Sequence, residues 1–420
     1  MLMCGSLTGA AFFCDGGKLE LAGKHLVLGL TGGIACYKIA ELTRLLIKAG
    51  ATVQIVMTEA ATQFITPVTM QALSGRPVYT SQWDARMPNN MPHIDLSREA
   101  DAIVIAPAST DFLAKLAHGM CDDLLSTLCI ARDCPLLVVP AMNRQMWQSP
   151  PTQRNVAQLR ADGVEVLGPD SGSQACGEVG DGRMIEPEAA FEAICAFFQP
   201  KILRGQRVLI TAGPTFEPLD PVRGITNRSS GKMGFALARA AAQAGADVHL
   251  VAGPVSLPTP WGVYREDVQT AQQMHDAVMA ATPDADIFIA VAAVADWRVD
   301  HVSEQKIKKT GDVLPTFSFV ENPDILATVA KLPNPPYCVG FAAESGDLDV
   351  HGAEKRRRKG VPLLIGNLGP LTFGLDDNEV VLFEESGTTP LPRAGKQELA
   401  RTLIAEIAKR APKTGGPLLS

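Results

Sequence analysis

No run of about 20 consecutive apolar residues occurs in this chain, so no segment reads as a helix that spans a bilayer. A secretory leader of the usual form is also missing: the apolar stretch Leu7–Phe13 is short, and no Lys or Arg precedes Lys18. Residues 1–23 are expected to be a disordered extension, with Met1–Leu19 consistent with a misplaced start. The nine cysteines include no Cys-x-x-Cys pair, and neither they nor the histidines cluster. That scatter excludes the common zinc frameworks and argues against a disulfide scaffold, so a reducing cytoplasm is the expected compartment. Neither sign of charge dominates. With 20% charged residues and a net charge of −7, the chain offers no general surface for nucleic acid.

What is present is length and apolar content: 420 residues, 46% hydrophobic, too many for one ordinary core. Two domains of roughly 200 residues each are expected. Two similar openings divide the chain. Lys24–Thr31 is an apolar run that stops at Gly32-Gly33, followed by a helical pattern over Ile34–Ala49 and a strand at Val53–Met57. Gln206–Gly213 repeats this, with a helix over Gly231–Ala244 and a strand at Val248–Val251. Strand, glycine turn, helix, strand is a βαβ unit. Further buried-strand candidates are Ala102–Ala106, Leu136–Val139 and Val164–Leu167, then Ile287–Val291, Val339–Phe341, Leu363–Ile365 and Val380–Phe383. The fold expected is α/β: two doubly wound, Rossmann-like domains with mostly parallel sheets. The seam is placed near Phe198–Gly205, giving domains at 24–199 and 200–420.

Ligands on such sheets bind beyond the carboxyl ends of the strands. Gly32 and Gly33 open a helix there and could hold a phosphate on their amides, although the pair alone reads first as a tight turn. They form neither Gly-x-Gly-x-x-Gly nor a Walker loop. Thr58 and the group Ala108, Ser109 and Thr110 stand at other strand ends. A dinucleotide site usually places an acid after the second strand; here a hydroxyl, Thr58, takes that place. Short hydroxyls at several strand ends suit flavin mononucleotide better than NAD. Three residues are candidates for proton work: His93 before a helix, Asn143 after a strand, and Cys176 on the glycine-rich loop 168–178. A lone His is usually structural and a lone Cys usually a small buried hydrophobe. A cysteine on a glycine loop differs, because it can close over a site and deliver a proton.

Taken together, Gly32-Gly-Ile34, His93-Ile-Asp-Leu96, Pro140-Ala-Met-Asn-Arg-Gln-Met146 and Ser173-Gln-Ala-Cys-Gly177 resemble the FMN-dependent 4′-phosphopantothenoylcysteine decarboxylases. The resemblance implies a flavodoxin-like flavoprotein domain. It also implies that the cysteinyl thiol is oxidised with FMN, so that loss of CO₂ leaves an enethiolate instead of an unstabilised carbanion. His93 then has a base or positioning role, Asn143 holds the substrate carboxylate, and Cys176 protonates the enethiolate. Thr31 and Cys36 stand where the family pattern has Ser and Ala; Cys36 is expected to add an oxidisable thiol.

In the second half, the connection Gly213–Arg228 is longer than the ~12 residues beyond which loops usually carry function. It leads to Ser229–Gly234 at a helix start, which reads as an N-cap or as an anion site. Asp296 ends the run Ala290-Val291-Ala292-Ala-Val-Ala, and positive charge gathers in Lys306–Lys309 and Lys355–Lys359. Such runs are usually solvated helix faces, but lysines also balance a triphosphate. Lys355 and Lys359 lie four apart and would share one helix face.

This half, with Thr211–Thr215, Asn227, Ser229–Gly234, Ala292–Asp296, Lys306–Lys309, Asn322–Ile325, Val339–Glu344 and Lys355, resembles the CTP-using phosphopantothenate–cysteine ligases. The resemblance implies that 4′-phosphopantothenate is activated by CTP and captured by cysteine. Asn227 orients the acyl-cytidylate and Lys306 stabilises charge at the α-phosphate. Ala290, Val291, Ala292, Asp296, Pro323, Asp324, Ile325, Leu326, Phe341, Lys355 and Lys359 form the nucleotide pocket. Mg²⁺ is expected with CTP, with no protein ligand assigned. Decarboxylase trimers and ligase dimers are implied as well. The competing readings are a flavin-binding regulatory protein with a residual ligase domain and, from the doubled βαβ pattern alone, an NAD oxidoreductase.

Overall fold

The computed structural model describes residues 19–84, 86, 91–175, 177–308, 315–344, 348–368 and 376–412. The chain packs as two compact units, Lys18–Phe197 and a second built mainly from Phe198–Ser420. No helix among the described residues is long and apolar enough to cross a membrane.

The first unit is built on a five-stranded parallel sheet. From edge to edge it runs Thr52–Met57, His25–Leu30, Ala102–Ala108, Leu136–Pro140 and Glu165–Val166. In chain order this is 2-1-3-4-5, the flavodoxin-like winding, with its switch point between His25–Leu30 and Ala102–Ala108. The central strands are buried along their length because helices cover both faces. Ile39, Leu42 and Leu46 of the helix Cys36–Lys48 face the core at helical spacing. Each such side chain contributes about 1.5–3 kcal/mol on burial. The helix Leu124–Ala131 is closed by a capping box between Asp123 and Ser126. One expectation is corrected here. Residues 19–23 belong to the unit, because Leu21 is 0% exposed and its amide donates to Ala49 O at 2.8 Å. An apolar side chain that fills the core end cannot belong to a disordered extension.

The second unit carries an eight-stranded mixed sheet in the order Val263–Asp267, Asp247–Ala252, Arg207–Ala212, Ile287–Ala290, Tyr337–Glu344, Leu363–Leu368, Asp377–Glu384 and Gly387–Gly395. Its first six strands are parallel in the winding 3-2-1-4-5-6, and the last two are added antiparallel. One face is covered by the helices Lys232–Gln243 and Lys396–Arg410, the other by Ala271–Ala281 and Ile325–Ala330. The first of these helices is rich in alanine, which lets it sit close to the sheet; a Cβ on Gly234 would lie 2.5 Å from the Ala212 Cβ. Two short antiparallel pairs, Phe216–Pro218 with Gly224–Thr226 and Trp297–Val299 with Phe319–Glu321, rise from the long connections. Their strands are too short to read from periodicity.

Candidate active sites

At the switch point of the first unit, Thr31 joins the two strands that diverge there. Its hydroxyl donates to Pro107 O at 2.6 Å and accepts the Ser109 amide at 2.9 Å. Ser109 in turn caps the helix Thr110–His118 by accepting the Phe112 amide, and Thr58 accepts the Ala61 amide in the same way. Each of these two hydroxyls keeps its own proton for a further acceptor. Thr110 donates to Met142 Sδ at 3.1 Å, and Ala108 is buried in its strand. Gly32 is pressed against Ala60, where a Cβ would come within 2.7 Å, whereas a Cβ on Gly33 would meet nothing. Hydroxyl donors, a helix N-terminus and open space over the glycine turn together fit the phosphate end of a flavin mononucleotide. Cys36 corrects an expectation. It is 0% exposed, its thiol donates to Thr31 O at 3.2 Å, and burial pushes its pKa up to about 11, so it is not an oxidisable thiol.

Asn143 leaves the strand Leu136–Pro140 and caps the helix Arg144–Gln148, its Oδ1 accepting the Met146 amide at 2.9 Å. That bond commits the oxygen and leaves the Nδ2 protons to bind an anion. A hairpin, Asp170–Ser173 with Val179–Arg183, is tied to this corner. Met142 N–H donates to Gly182 O at 2.9 Å, and Arg144 N–H donates to Gln174 Oε1 at 3.0 Å. Gln145 Nε2 reaches Glu178 Oε1 at 2.7 Å. Cys176 itself lies outside the described residues, but its neighbours Gln174 and Glu178 hold the loop on either side against the Asn143 helix. His93 sits half-buried in the first turn of Pro92–Arg98. Among the described residues, no hydrogen bond joins it to Asn143 or to the hairpin.

The second unit repeats the arrangement at its own switch point, between Arg207–Ala212 and Ile287–Ala290. Val291 N–H donates to Thr211 O at 3.2 Å, and Ala292 N–H to Thr211 Oγ1 at 3.3 Å. Ala293 N–H then donates to Gly213 O at 2.9 Å. The segment Ala290–Ala292 is thereby held beside the start of the long connection. Asn227 Nδ2 donates to Ala293 O at 2.9 Å, and Thr215 Oγ1 accepts the Ala295 amide at 3.0 Å. Ile225, Thr226, Asn227, Ala295, Asp296 and Phe319 line an open cavity of about 360 Å³. Asn227 and Asp296, 69 residues apart in a chain where neither has a local partner pattern, thus share one wall system.

Beyond the cavity, Asn322 fixes the next segment by donating to two carbonyls: its amide to Asp296 O at 2.9 Å and its Nδ2 to Ala295 O at 2.8 Å. Pro323 follows, and Asp324 caps Ile325–Ala330 while pairing with Lys359 of the helix Leu348–Lys359. Burial pushes the Asp324 carboxyl up, but the Lys359 ammonium and the Ala327 amide outweigh it and hold the pKa below the usual value. Ile325 and Leu326 point their side chains into the core, where Leu326 lies against Gly340, so only their backbone is available to a ligand. Phe341 is half-buried on the strand Tyr337–Glu344, and Lys355 lies one turn before Lys359. Lys306 is exposed, on a segment anchored by Asp220. No described contact joins Lys306 to the Asn227 cavity. Lys309 lies outside the described residues.

Both halves of the chain match known proteins. Residues 17–199 match the flavoprotein family model, and residues 203–411 match the DNA/pantothenate metabolism flavoprotein C-terminal domain. A coenzyme A biosynthesis bifunctional protein CoaBC from Vibrio cholerae is 53% identical over 391 residues, covering 92% of this chain and 98% of its own. The namesake from Escherichia coli is 49% identical over 400 residues, covering 93% and 98%. The chain belongs to the bifunctional coenzyme A biosynthesis protein family. A solved C-terminal domain of a CoaBC protein is 35% identical over 50% of this chain and 97% of its own, with a TM-score of 0.44.

Gln174, Gln145 and Glu178 in the first unit and Asp220 and Arg223 in the second lie in stretches that the sequence singles out, but the sequence alone gives none of them a role. Gln174 and Glu178 flank Cys176 symmetrically, which was a usable signal. Asp220 and Arg223 sit three apart inside the long connection, but nothing local points to their shared partner, Ile307.

Proposed function

We propose that the chain makes 4′-phosphopantetheine in two consecutive steps. The domain at 200–420 joins cysteine to 4′-phosphopantothenate with CTP, and the domain at 24–199 decarboxylates the product with FMN. The observation that supports the ligase reading most directly is the cavity at the second switch point, lined by both Asn227 and Asp296. Family membership over nearly the whole chain supports the pairing of the two activities.

In the ligase step, the carboxylate of phosphopantothenate attacks the α-phosphorus of CTP and pyrophosphate leaves. The cysteine amine then attacks the acyl carbon and CMP leaves. Lys306 stabilises negative charge in the first attack, and the exposed position of its ammonium suits that task. Asn227, with Oδ1 uncommitted by its bond to Ala293 O, orients the acyl-cytidylate for the second. The nucleotide is held by Ala290, Val291, Ala292, Asp296 and Pro323, the backbone of Ile325 and Leu326, and by Asp324, Phe341, Lys355 and Lys359. Magnesium accompanies the nucleotide, bound by phosphate oxygens and water. Among the described residues no group of three His, Cys, Asp or Glu side chains is arranged to hold it.

In the decarboxylase step, bound FMN supplies the oxidation and reduction of the substrate thiol. Gly32, Gly33, Thr58, Ala108, Ser109 and Thr110 hold it at the first switch point. The Nδ2 protons of Asn143 bind the substrate carboxylate, Cys176 delivers the proton to the enethiolate, and His93 acts as base or positions the reacting groups. Decarboxylase trimers, ligase dimers and a cytoplasmic location complete the reading. It is tested by incubating purified protein with 4′-phosphopantothenate, cysteine, Mg²⁺ and CTP. The expected products are 4′-phosphopantetheine, CMP and pyrophosphate, with a flavin spectrum from the enzyme. Accumulation of the cysteine conjugate on flavin-loaded protein would remove the decarboxylase half of the reading.

A further inference from the structure

The side chain of Asp220 has 0% exposed surface, yet it lies on a surface connection. Burying a carboxylate is costly unless hydrogen bonds compensate, and here donors surround both oxygens. Oδ1 accepts the amides of Val222 and Arg223, both at 2.8 Å. Oδ2 accepts Arg223 Nε at 3.0 Å, Arg223 Nη2 at 2.6 Å and the Ile307 amide at 3.1 Å. Arg223 Nη2 also donates to the Ile307 carbonyl at 2.5 Å. The pair therefore grips both polar atoms of one residue that lies 87 positions further along the chain. A second tie joins the same segments, Ser303 N–H donating to Leu219 O at 3.1 Å. Lys306 sits between the two ties with its side chain exposed.

We propose that Asp220 is a positioning residue for the ligase reaction: through Arg223 and the Ile307 backbone it fixes the segment from which Lys306 reaches the nucleotide. This inference rests on the role given to Lys306 above. A lysine has a flexible four-carbon stem, so its ammonium is placed only as well as its backbone. The clamp restrains the adjoining residue from both sides, and so sets where that stem begins. Asp220 touches neither substrate nor nucleotide in this scheme. Its effect passes entirely through Lys306 and falls on the step that Lys306 serves.

The test compares Asp220→Asn, Lys306→Gln and the double variant in the full-length flavin-loaded enzyme. Pyrophosphate formation is measured at saturating CTP without cysteine. Conversion of isolated acyl-cytidylate by cysteine, and decarboxylation of added 4′-phosphopantothenoylcysteine, are measured separately. Asp220→Asn is expected to slow pyrophosphate formation about 10²-fold, as a misplacement near 1 Å would, while leaving the other two rates at wild-type levels. The double variant should be no slower than Lys306→Gln, since both changes disable one device. Wild-type pyrophosphate formation in Asp220→Asn, equal slowing of both ligase half-reactions, or effects that multiply in the double variant would each overturn the inference while Lys306 keeps its role. A fully active Lys306→Gln would overturn that role and the clamp with it. Should Asp220→Asn melt the ligase unit, Arg223→Met takes its place: it keeps an unbranched stem but has no donor for Asp220 or Ile307 O. Undiminished pyrophosphate formation in that variant is equally fatal.

Discussion

Asn143 Oδ1 accepts the Met146 amide at 2.9 Å, so the orientation of this side-chain amide is set by the helix it caps. Asp caps as well as Asn does, but it brings a charge and no donors. Asn143→Asp should therefore change stability by less than about 1 kcal/mol and leave flavin content intact. Decarboxylation should fall by about 10- to 100-fold, the loss of a hydrogen bond to a charged group plus carboxylate repulsion. Flavin absorbance, a thermal melt and CO₂ release from 4′-phosphopantothenoylcysteine separate these effects. A variant that loses its flavin would assign Asn143 to cofactor retention instead.

Gly182 tests how the Cys176 hairpin is held. Its φ is +114°, and a Cβ there would lie 2.7 Å from Met142 O and 3.1 Å from Asn143 O. Both the backbone angle and the backbone neighbours reject a side chain. Gly182→Ala should break the bond from Met142 N–H to Gly182 O and push the hairpin off the Asn143 corner, destabilising the first unit by more than about 1 kcal/mol. Decarboxylation should be lost while pyrophosphate formation continues. Retention of full decarboxylase activity would mean that the hairpin need not sit on this corner.

How much of this was legible beforehand depends on whether the controlling interaction is local. His25–Leu30 and Arg207–Ala212 are central parallel strands covered on both faces, so they read as unbroken apolar runs. Asn143 and Asp296 became candidates because they follow such runs. Val263–Asp267 was missed: it is an edge strand whose sequence is mostly polar. Gly387–Gly395 was missed because Pro390 and Pro392 argue against a strand, yet it occupies the opposite edge, where proline is tolerated. The hairpin Asp170–Ser173 with Val179–Arg183 looks like a loop, since glycine and short polar residues fill it. The grip of Asp220 on Ile307 has no signature at all in the chain order, because the partners meet only after the connections fold.

Asp324 gives a prediction about acid stability. Burial raises its pKa, but the Lys359 ion pair and the Ala327 amide lower it further, so the folded value lies below the unfolded value of about 3.9. A carboxylate with a depressed folded pKa contributes stability that is complete above the unfolded pKa and is lost as pH falls through the folded one. Asp324→Asn keeps the helix cap and removes the titration. Urea unfolding of the variant should therefore show a shallower loss of stability below about pH 4 than wild type, with the pH dependence between 6 and 8 unchanged. An identical acid limb in both proteins would show that the pair persists in the unfolded chain or is screened away.

The thiols divide by burial, and their reactivity should divide with them. Cys36, Cys129, Cys195 and Cys338 are buried, whereas Cys121 is exposed. Burial pushes the Cys36 thiol up to about 11 and the Cys338 thiol up to about 12, and it raises Cys129 as well. Only the thiolate is nucleophilic, so these groups are protected twice, by lack of access and by lack of ionisation. Native protein treated with iodoacetamide at pH 8 should carry label on Cys121 within minutes and none on Cys36 or Cys338; peptide mass spectrometry reads the sites. Adding urea to unfold the chain should bring the buried cysteines to the rate of Cys121. Fast native labelling of Cys36 would require the turn at Thr31 to open, because its thiol is the donor to Thr31 O. That result would also mean that the first switch point opens in the native protein, since Thr31 is the residue that bridges its two strands.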